Sequence, residues 1–168
     1  MRIGAFVTLP LDCVDLDRLT VMQLPARGVH TKNSKAAKTY LLNIPELLQV
    51  VRDWDAEIRP VLPADAYWYA HLDHFGELTT ERPKSKDRLM IRSDFREKLA
   101  QLCALAGVPY RSPHKLRHGF AVYALKRTQT MAQMKAVSQN LMHSNMGITD
   151  GIYGRLVDDD VRSIITGL

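Results

Sequence analysis

The sequence predicts an α+β domain that is mainly helical and has one small antiparallel β-sheet. The sheet is indicated by two short β-prone runs, residues 20–24 and 39–44, which flank a polar, basic, glycine-containing stretch suited to the tip of a hairpin. The helices are indicated by apolar residues at helical spacing that start or stop at capping residues, mostly in the second half of the chain.

In the first half, residues 1–9 are predicted to be the end of an apolar helix that begins before Met1. The hairpin follows, with residues 25–38 as its long basic tip. Pro45 then suits the first position of a helix. The apolar face of that helix is predicted to consist of Leu47, Leu48, Val51 and Trp54. Residues 59–90 contain several prolines and are expected to be an irregular loop.

Three helices are predicted in the second half. The first runs from Ser93, with Phe95, Leu99, Leu102 and Ala106 at helical spacing, and ends at Gly107. The second has Ser112 as its N-cap and Pro113 at its first position, and is expected to bury Leu116, Phe120, Tyr123 and Ala124. The third starts with a capping box formed by Thr130 and Gln133, and its core stripe is Met131, Met134, Val137 and Leu141.

The 168-residue length and the 46% hydrophobic content fit one domain with a real core. The net charge is +5, and the positive charge is segregated: residues 27–38 and 111–127 contain no acid. Such segments fit a face that binds phosphates. The expected backbone contacts on this face are Arg27, Lys35, Lys38, Arg111 and Lys115. No apolar run approaches the roughly 20 residues of a membrane span, so we expect a cytoplasmic protein without a membrane partner.

Basic groups are concentrated at the start of the helix that follows Ser112. His114, Arg117 and His118 share one face of that helix by their spacing, close to a helix N-terminus that favours anions. A second polar segment near the C-terminus contains His143 and Tyr153. Basic groups gathered around a possible anion, with a tyrosine nearby, indicate phosphate chemistry.

The motifs and their order along the chain resemble those of the catalytic domain of the tyrosine recombinases, or phage-type integrases. The resemblance covers nearly the whole sequence and rests on a first arginine, a hairpin lysine, a His-x-x-Arg box, a second histidine and a tyrosine: Arg2, Lys32, His114 with Arg117, His143 and Tyr153. It implies that residues 1–168 are a single, truncated catalytic domain with that family's fold. The family's N-terminal DNA-binding arm domain is expected to be absent.

The resemblance also implies a role for each matching residue. Arg2 and Arg117 would clamp the scissile phosphate, and Lys32 would be the general acid toward the leaving 5′-oxygen. His114 and His143 would hydrogen-bond the phosphate or help to move the proton. Tyr153 would attack phosphorus and form a 3′-phosphotyrosyl link. His118 is assigned a supporting role, in which it orients a neighbour through a hydrogen bond.

Physical chemistry is consistent with those roles. Phosphoryl transfer depends on positioning and charge stabilisation, and the planar fork of arginine matches phosphate oxygens. A tyrosine with an ordinary pKa of about 10 needs a nearby cation or base to become a nucleophile at neutral pH. A covalent intermediate conserves the energy of the phosphodiester, so strands can be rejoined without ATP. We therefore expect double-stranded DNA as the partner, self-association on DNA, and neither a cofactor, a metal nor a small-molecule substrate.

The sequence departs from the family pattern at two positions, and two other functions stay open. Ala5 lies where the family usually has a glutamate, and Met142 lies where it usually has a glycine before the second histidine. One alternative is a DNA-binding remnant that has lost catalytic competence. The other is a metal-dependent phosphoesterase, because His114 and His118 have the i, i+4 spacing of zinc ligands. Lys35 and Lys38 compete with Lys32 for the role of the hairpin lysine.

Overall fold

The structure is a computed structural model, and it describes residues 1–69, 71–72, 77–79 and 88–143. The chain divides into two compact units, Met1–Arg117 and His118–Leu168. Within the described ranges the elements follow in this order: α1 (Ile3–Phe6), β1 (Val14–Asp15), β2 (Thr20–Gln23), β3 (Ala37–Tyr40), α2 (Pro45–Ile58), β4 (His71–Leu72), β5 (Leu78–Thr79), α3 (Arg88–Leu105), α4 (Pro113–Leu125) and α5 (Met131–Asn140).

The predicted hairpin is confirmed and is part of a three-stranded antiparallel sheet in the order β1-β2-β3. Val21 in the central strand is paired with Val14 on one side and Thr39 on the other. The second hairpin strand ends at Tyr40, earlier than predicted, and the chain then turns toward α2. The hairpin tip contains two short 3₁₀ turns, Pro25–Arg27 and Lys32–Ser34.

Three expectations about element positions are wrong. The region expected to be irregular contains a second, two-stranded antiparallel pair, β4 and β5. Helix α3 begins at Arg88, five residues before the predicted start. Helix α1 begins at Ile3, since Arg2 before it is extended with φ −90° and ψ 155°, so Met1 lies outside the helix.

The core of the first unit lies between α1, the sheet and the segment that follows α2. One buried cluster consists of Ala5, Leu9, Cys13, Val14, Val21 and Val29. Aromatic rings join α1 to α3: the Phe6 ring lies 5.4 Å from the Phe95 ring and 5.5 Å from the Tyr69 ring. Burial and the negative charge of Asp94 raise the pKa of Tyr69 to about 12, so this tyrosine is a neutral packing group. The aromatic contacts fix the position of α1, whose first residue follows Arg2.

Helix α2 shows why the predicted apolar stripe is only partly correct. Pro45 occupies a first-turn position as expected, and Leu48 is buried, but Leu47 is 61% exposed. The C-terminal end of α2 is anchored by polar contacts: the Trp68 indole N–H donates to Asp55 at 2.9 Å, and Arg59 forms an ion pair with the same carboxylate. These polar contacts help to fix the orientation of α2, and the spacing of apolar residues does not predict them.

The predicted helix ends are confirmed by their hydrogen bonds. At the end of α3, Gly107 has φ +66°, and the N–H of Val108 donates to the carbonyl of Cys103 at 2.9 Å. At the start of α4, the Ser112 hydroxyl accepts from the N–H of Lys115 at 3.3 Å. Thr130 and Gln133 form the complete capping box of α5.

Several predicted core positions on these helices are wrong. Leu116 on α4 is 49% exposed, and Met131 on α5 is 67% exposed. Leu102, which has helical spacing on α3, is likewise 62% exposed. Tyr123 is 37% exposed, and the Arg127 guanidinium lies over its ring. Helical spacing identifies an apolar face, but the neighbouring elements decide how much of that face is covered. None of the described helices is long and apolar enough to cross a membrane.

Met142 ends α5 in a conformation that favours glycine. Its φ is +55°, its N–H donates to Gln139, and the N–H of His143 donates to Ser138. This is a Schellman motif with methionine at the left-handed position. The glycine that the resemblance leads one to expect before His143 is therefore favoured by backbone geometry, because a side chain at this φ is strained.

We expect Met142→Gly to be more stable than Met142→Ala by about 1 kcal/mol, because both variants lose the methionine side chain but only glycine relieves the left-handed strain. Urea unfolding monitored by circular dichroism measures the difference. Gly107→Ala is the control and should lower the stability, because Gly107 has φ +66°. An added Cβ there would meet nothing within 4 Å, so the loss would come from the backbone conformation alone. Equal stability of the glycine and alanine variants at position 142 would show that this residue is unstrained.

Candidate active site

Arg2 and Arg117, the two predicted phosphate clamps, line the same cavity. Arg2 immediately precedes α1, and its carbonyl accepts hydrogen bonds from the N–H groups of Ala5 and Phe6, each at 3.0 Å. Arg117 lies in the second turn of α4. The cavity has a volume of about 270 Å³, and its lining is formed by Met1, Arg2, Ile3, Phe6, Phe95, Pro113, Leu116 and Arg117. Two guanidinium groups therefore border a space that otherwise has mainly apolar walls.

The pKa shifts at this cavity show that positive charges act on one another there. Burial, and next the positive charge of Arg2, lower the pKa of Arg117. Burial, and next the positive charges of Arg117 and Arg2, lower the pKa of the Met1 amino group to about 6. Each lowered pKa means that the positively charged form of the group is less stable here than in water. An anion in the cavity would reverse that penalty.

Ala5 lies on α1, shortly after the cavity-lining residue Arg2. It is fully buried at 1% exposure in the core of the first unit. The carboxylate that the family pattern would supply at this position is absent, and a methyl group packs in its place. Arg2 is positioned instead through its backbone, whose carbonyl accepts from Ala5 and Phe6.

The other predicted residues of α4 in the first unit lie at the exposed start of the helix. His114 and Lys115 are exposed, as is Arg111 just before the cap, whereas Arg117 is half-buried. His114 and Arg117 are three residues apart in one helix and are therefore neighbours along one face. The Ser112 cap fixes where this face begins.

Lys32 lies in a separate part of the first unit, at the tip of the hairpin. It is exposed and begins a tight turn in which Asn33 has φ +59° and Ser34 has φ +50°. The turn lines a second cavity of about 390 Å³, whose lining residues are Pro25, Gly28, Val29, His30, Thr31, Lys32, Asn33 and Ser34. Neither Arg2 nor Arg117 lines this cavity, so the structure does not bring all three predicted residues into one pocket.

A chain of hydrogen bonds connects the lysine turn to the helix that follows Arg2. The Thr8 hydroxyl donates to the carbonyl of Gly4 at 2.8 Å and accepts from the N–H of His30 at 2.9 Å. Nδ1 of His30 contacts Nη2 of Arg92 from α3 at 2.5 Å. A guanidinium can only donate, so Nδ1 of His30 is the acceptor in this contact.

Close packing at Gly4 is part of this connection. A Cβ added at Gly4 would lie 2.6 Å from Nη2 of Arg92 and 3.1 Å from Nδ1 of His30, so a larger residue would require the end of the Arg92 side chain to shift. Thr8, His30 and Arg92 were not among the predicted site residues. The contact between His30 and Arg92 joins residues 62 positions apart, and no local sequence pattern indicates it.

The remaining hairpin cations differ in their surroundings. Lys35 and Lys38 are exposed, and Nζ of Lys38 lies 5.6 Å above the ring of Tyr40. Arg27 forms an ion pair with Asp12, so a DNA phosphate would have to compete with that carboxylate. Lys35 and Lys38 are therefore more accessible to an anion than Arg27.

Two predicted residues lie in the second unit, and one lies outside the described residues. His118 is exposed on α4, and His143 is half-buried just after α5, where its N–H donates to Ser138 at 3.1 Å. Tyr153 is outside the described ranges, so its catalytic role stays a prediction. Within those ranges, no three His, Cys, Asp or Glu side chains lie close enough together to hold a metal ion.

Comparison with solved structures identifies the fold. The crystal structure of XerA recombinase superimposes with a TM-score of 0.62 and 21% sequence identity, covering 99% of this chain and 52% of that one. The chain therefore has the fold of the tyrosine recombinases, as the order of its motifs predicted, with a mainly helical α+β architecture and a small antiparallel sheet.

Curated sequences give the particular relatives. The tyrosine recombinase XerA of Thermococcus kodakarensis is 29% identical over 162 residues, which cover 96% of this chain and 49% of XerA. XerD of Haemophilus ducreyi is 26% identical over 168 residues, which cover 92% of this chain and 55% of XerD. No protein-family model matches the chain. The chain spans about half the length of these two relatives, and they are tyrosine recombinases by name.

Proposed function

We propose that this protein is the catalytic part of a site-specific DNA recombinase that breaks and rejoins strands through a 3′-phosphotyrosyl intermediate. The proposal is supported by the recombinase fold, by relatives named as tyrosine recombinases, and by the ordered set of basic residues with a tyrosine. Duplex DNA is its substrate. Integration or excision of a mobile element in the cytoplasm, with self-association on DNA, is the corresponding biological role.

The observation that carries the proposal is the meeting of Arg2 and Arg117 at one cavity. The charge of Arg2 lowers the pKa of Arg117 in addition to the effect of burial, which means that a like charge acts on a partly desolvated guanidinium. An anion bound between the two guanidinium groups would relieve this repulsion. A phosphate diester with two non-bridging oxygens matches two arginine forks.

The residues have separate roles in the proposed reaction. Arg2 and Arg117 stabilise the charge on the phosphoryl oxygens, and Tyr153 attacks phosphorus as its proton leaves. Lys32 gives a proton to the departing 5′-oxygen, so that the broken P–O bond ends in a hydroxyl. His114 and His143 hydrogen-bond the phosphate or relay the tyrosine proton, and His118 orients a neighbour. Lys35, Lys38, Arg27, Arg111 and Lys115 contact the DNA backbone.

The test is covalent capture from a pool of nicked duplexes with randomised sequence, in which the short strand beyond a cleavage point diffuses away. The complete gene product is incubated with the pool, denatured in detergent and separated by electrophoresis. A protein–DNA adduct that survives denaturation supports the recombinase. Duplex binding without an adduct supports the alternative of a catalytically incompetent remnant, and hydrolysis that EDTA abolishes supports a metal-dependent phosphoesterase.

Duplex binding should be electrostatic, with a logarithmic salt slope of about −0.9 for each phosphate neutralised. Arg117→Gln should lower the magnitude of that slope by about one, because one phosphate contact is lost. Fluorescence anisotropy with a labelled duplex between low and moderate salt measures both slopes.

Arg52→Gln is the matched control for this salt measurement, because Arg52 is an exposed residue on α2, away from both cavities. It should leave the slope almost unchanged. Duplex affinity that is independent of salt for the unmodified protein would contradict a phosphate-binding face.

A further inference from the structure

One buried hydroxyl joins the two segments that carry Arg2 and Lys32. Thr8 is 1% exposed, and its hydroxyl donates to the carbonyl of Gly4 at 2.8 Å and accepts from the N–H of His30 at 2.9 Å. Gly4 lies two residues after Arg2, and His30 lies two residues before Lys32. A short hydrogen-bonded path from the predicted phosphate clamp to the predicted general acid therefore passes through this one side-chain oxygen.

The ring of His30 provides a second attachment. Nη2 of Arg92 lies 2.5 Å from Nδ1 of His30, and a Cβ added at Gly4 would lie 2.6 Å from the same Nη2. His30 is thus held through its backbone by Thr8 and through its ring by a guanidinium that packs against Gly4. Both attachments link the tip of the hairpin to α1, to the segment after α1 and to α3, and not to the strands of the hairpin.

The turn that follows His30 depends on such support from outside. Asn33 and Ser34 come directly after Lys32 with φ +59° and φ +50°, the left-handed region that costs free energy for a residue with a side chain. A strained turn keeps one conformation only when its surroundings hold it. A general acid must lie within hydrogen-bond reach of the atom that it protonates, so the position of this turn determines whether Lys32 can act.

We propose that Thr8 is a positioning residue for strand cleavage, because its hydroxyl sets the distance between the phosphate bound by Arg2 and the ammonium group of Lys32. The proposal rests on the proposed function, which makes Lys32 the general acid. In that step the Tyr153 oxygen bonds to phosphorus as its proton passes to a histidine. The bond from phosphorus to the 5′-oxygen breaks, its electron pair stays on that oxygen, and Lys32 gives the oxygen a proton. Thr8 is buried and acts only through the turn.

Replacing the leaving 5′-oxygen by sulfur separates this role from a general loss of stability. A thiol has a pKa of about 8.5, far below that of an alcohol, so a 5′-thiolate leaves without a proton from Lys32. A defect in delivering the proton therefore slows cleavage of the oxygen duplex and spares the sulfur duplex. A defect in folding, in DNA binding or in the attack on phosphorus slows cleavage of both duplexes.

The experiment uses the complete gene product and two duplexes that differ in one atom. Sequencing the DNA captured from the randomised pool gives the cleavage point, and the duplex is then made with oxygen or with sulfur as the bridging 5′-atom at that point. Thr8→Val removes the hydroxyl and keeps the shape of the side chain, Thr8→Ser keeps the hydroxyl, and Lys32→Met removes the proposed acid. Single-turnover adduct formation gives the rates, anisotropy gives the Kd, and thermal unfolding gives the Tm.

Thr39→Val is the matched control. Thr39 is also buried, at 6% exposure, and its hydroxyl also makes two hydrogen bonds: it donates to the carbonyl of Val21 at 3.2 Å and accepts from Gln23 at 3.1 Å. Both partners belong to β2 and not to α1. Thr39→Val should lower the Tm and leave the ratio of the oxygen rate to the sulfur rate as it is in the unmodified protein.

We expect Thr8→Val to cleave the oxygen duplex about tenfold to 100-fold more slowly, the usual cost of a small displacement of a catalytic group. It should cleave the sulfur duplex at the rate of the unmodified protein and bind both duplexes with unchanged Kd. Its Tm should fall by roughly 5 °C, because the N–H of His30 loses its partner. Thr8→Ser should behave like the unmodified protein. Equal slowing on the two duplexes, or no slowing on the oxygen duplex, would overturn the positioning role.

Arg92→Leu tests the same turn with the Thr8 bonds intact, because it removes only the attachment to the ring of His30. It should show the same preference for the sulfur duplex to a smaller extent. If Thr8→Val does not fold, this variant decides the question. Equal rates of Arg92→Leu relative to the unmodified protein on the two duplexes would then overturn the positioning of Lys32 through His30.

The outcomes distinguish this inference from the proposed function. If the unmodified protein forms adducts and Thr8→Val is slowed equally on both duplexes, the recombinase stands and only the positioning role is overturned. If Lys32→Met stays slow on the sulfur duplex, Lys32 is not the acid, and the role of Thr8 is overturned while the recombinase again stands. If the unmodified protein forms no adduct with either duplex, the proposed function is overturned together with the positioning role.

Discussion

Replacing Tyr153 by phenylalanine should abolish covalent attachment of the protein to DNA. The change removes only the hydroxyl that would attack phosphorus, so the fold and the duplex affinity should stay nearly intact. Loss of a nucleophile typically lowers the rate by about 10⁴-fold or more, which is below detection in an adduct assay. The measurement is denaturing electrophoresis of the complete gene product after incubation with the nicked duplex pool.

Tyr123→Phe is the matched control, because it also removes one tyrosine hydroxyl. Tyr123 lies on α4, where the Arg127 guanidinium lies over its ring, and the variant keeps that ring. It should form adducts at the rate of the unmodified protein. An adduct that persists in Tyr153→Phe would mean that another residue is the nucleophile and that the C-terminal motif has been matched incorrectly.

The second large effect is expected for Arg117→Lys. Lysine keeps the positive charge but loses the planar fork that can bind two phosphate oxygens at once. Cleavage should therefore fall by roughly 10²- to 10³-fold, the usual loss when one donor that stabilises transition-state charge is removed. Duplex binding should weaken only modestly, because the charge remains. Single-turnover rates of adduct formation and anisotropy give the two quantities separately.

Arg52→Lys makes the same chemical change at an exposed position on α2 and should alter neither quantity. The predicted separation of rate from affinity distinguishes a transition-state role from a general electrostatic one. An equal loss of rate and affinity in Arg117→Lys would indicate that Arg117 acts only in binding DNA.

The features that could be predicted from the sequence are those that local chemistry determines. Ser112, Thr130 and Gly107 end or begin helices where expected, because a cap needs only a few neighbouring residues. The hairpin was found for the same reason, since its two strands and its tip are contiguous. Arg2 and Arg117 were matched through the family resemblance and not through local chemistry; they line one cavity, and their role in binding phosphate stays a prediction.

The features that could not be predicted depend on contacts between distant segments. Leu47 and Leu116 have the spacing of core residues, but the fold leaves their side chains largely exposed. The contact between His30 and Arg92 joins the hairpin to α3, and Gly4 is closely packed only because Arg92 lies against it. Two-residue strands such as β4 and β5 are too short to produce a periodic pattern.

The most direct test of the central claim is to identify the amino acid that carries DNA after the reaction. Trypsin cleaves after Lys135 and Arg155, so peptide 136–155 contains Tyr153 as its single tyrosine. After nuclease treatment of the purified adduct, mass spectrometry should find this peptide with a nucleotide attached through its 3′-phosphate to Tyr153. A nucleotide on any other peptide, or adducts that carry no tyrosine-linked phosphate, would contradict the proposed reaction.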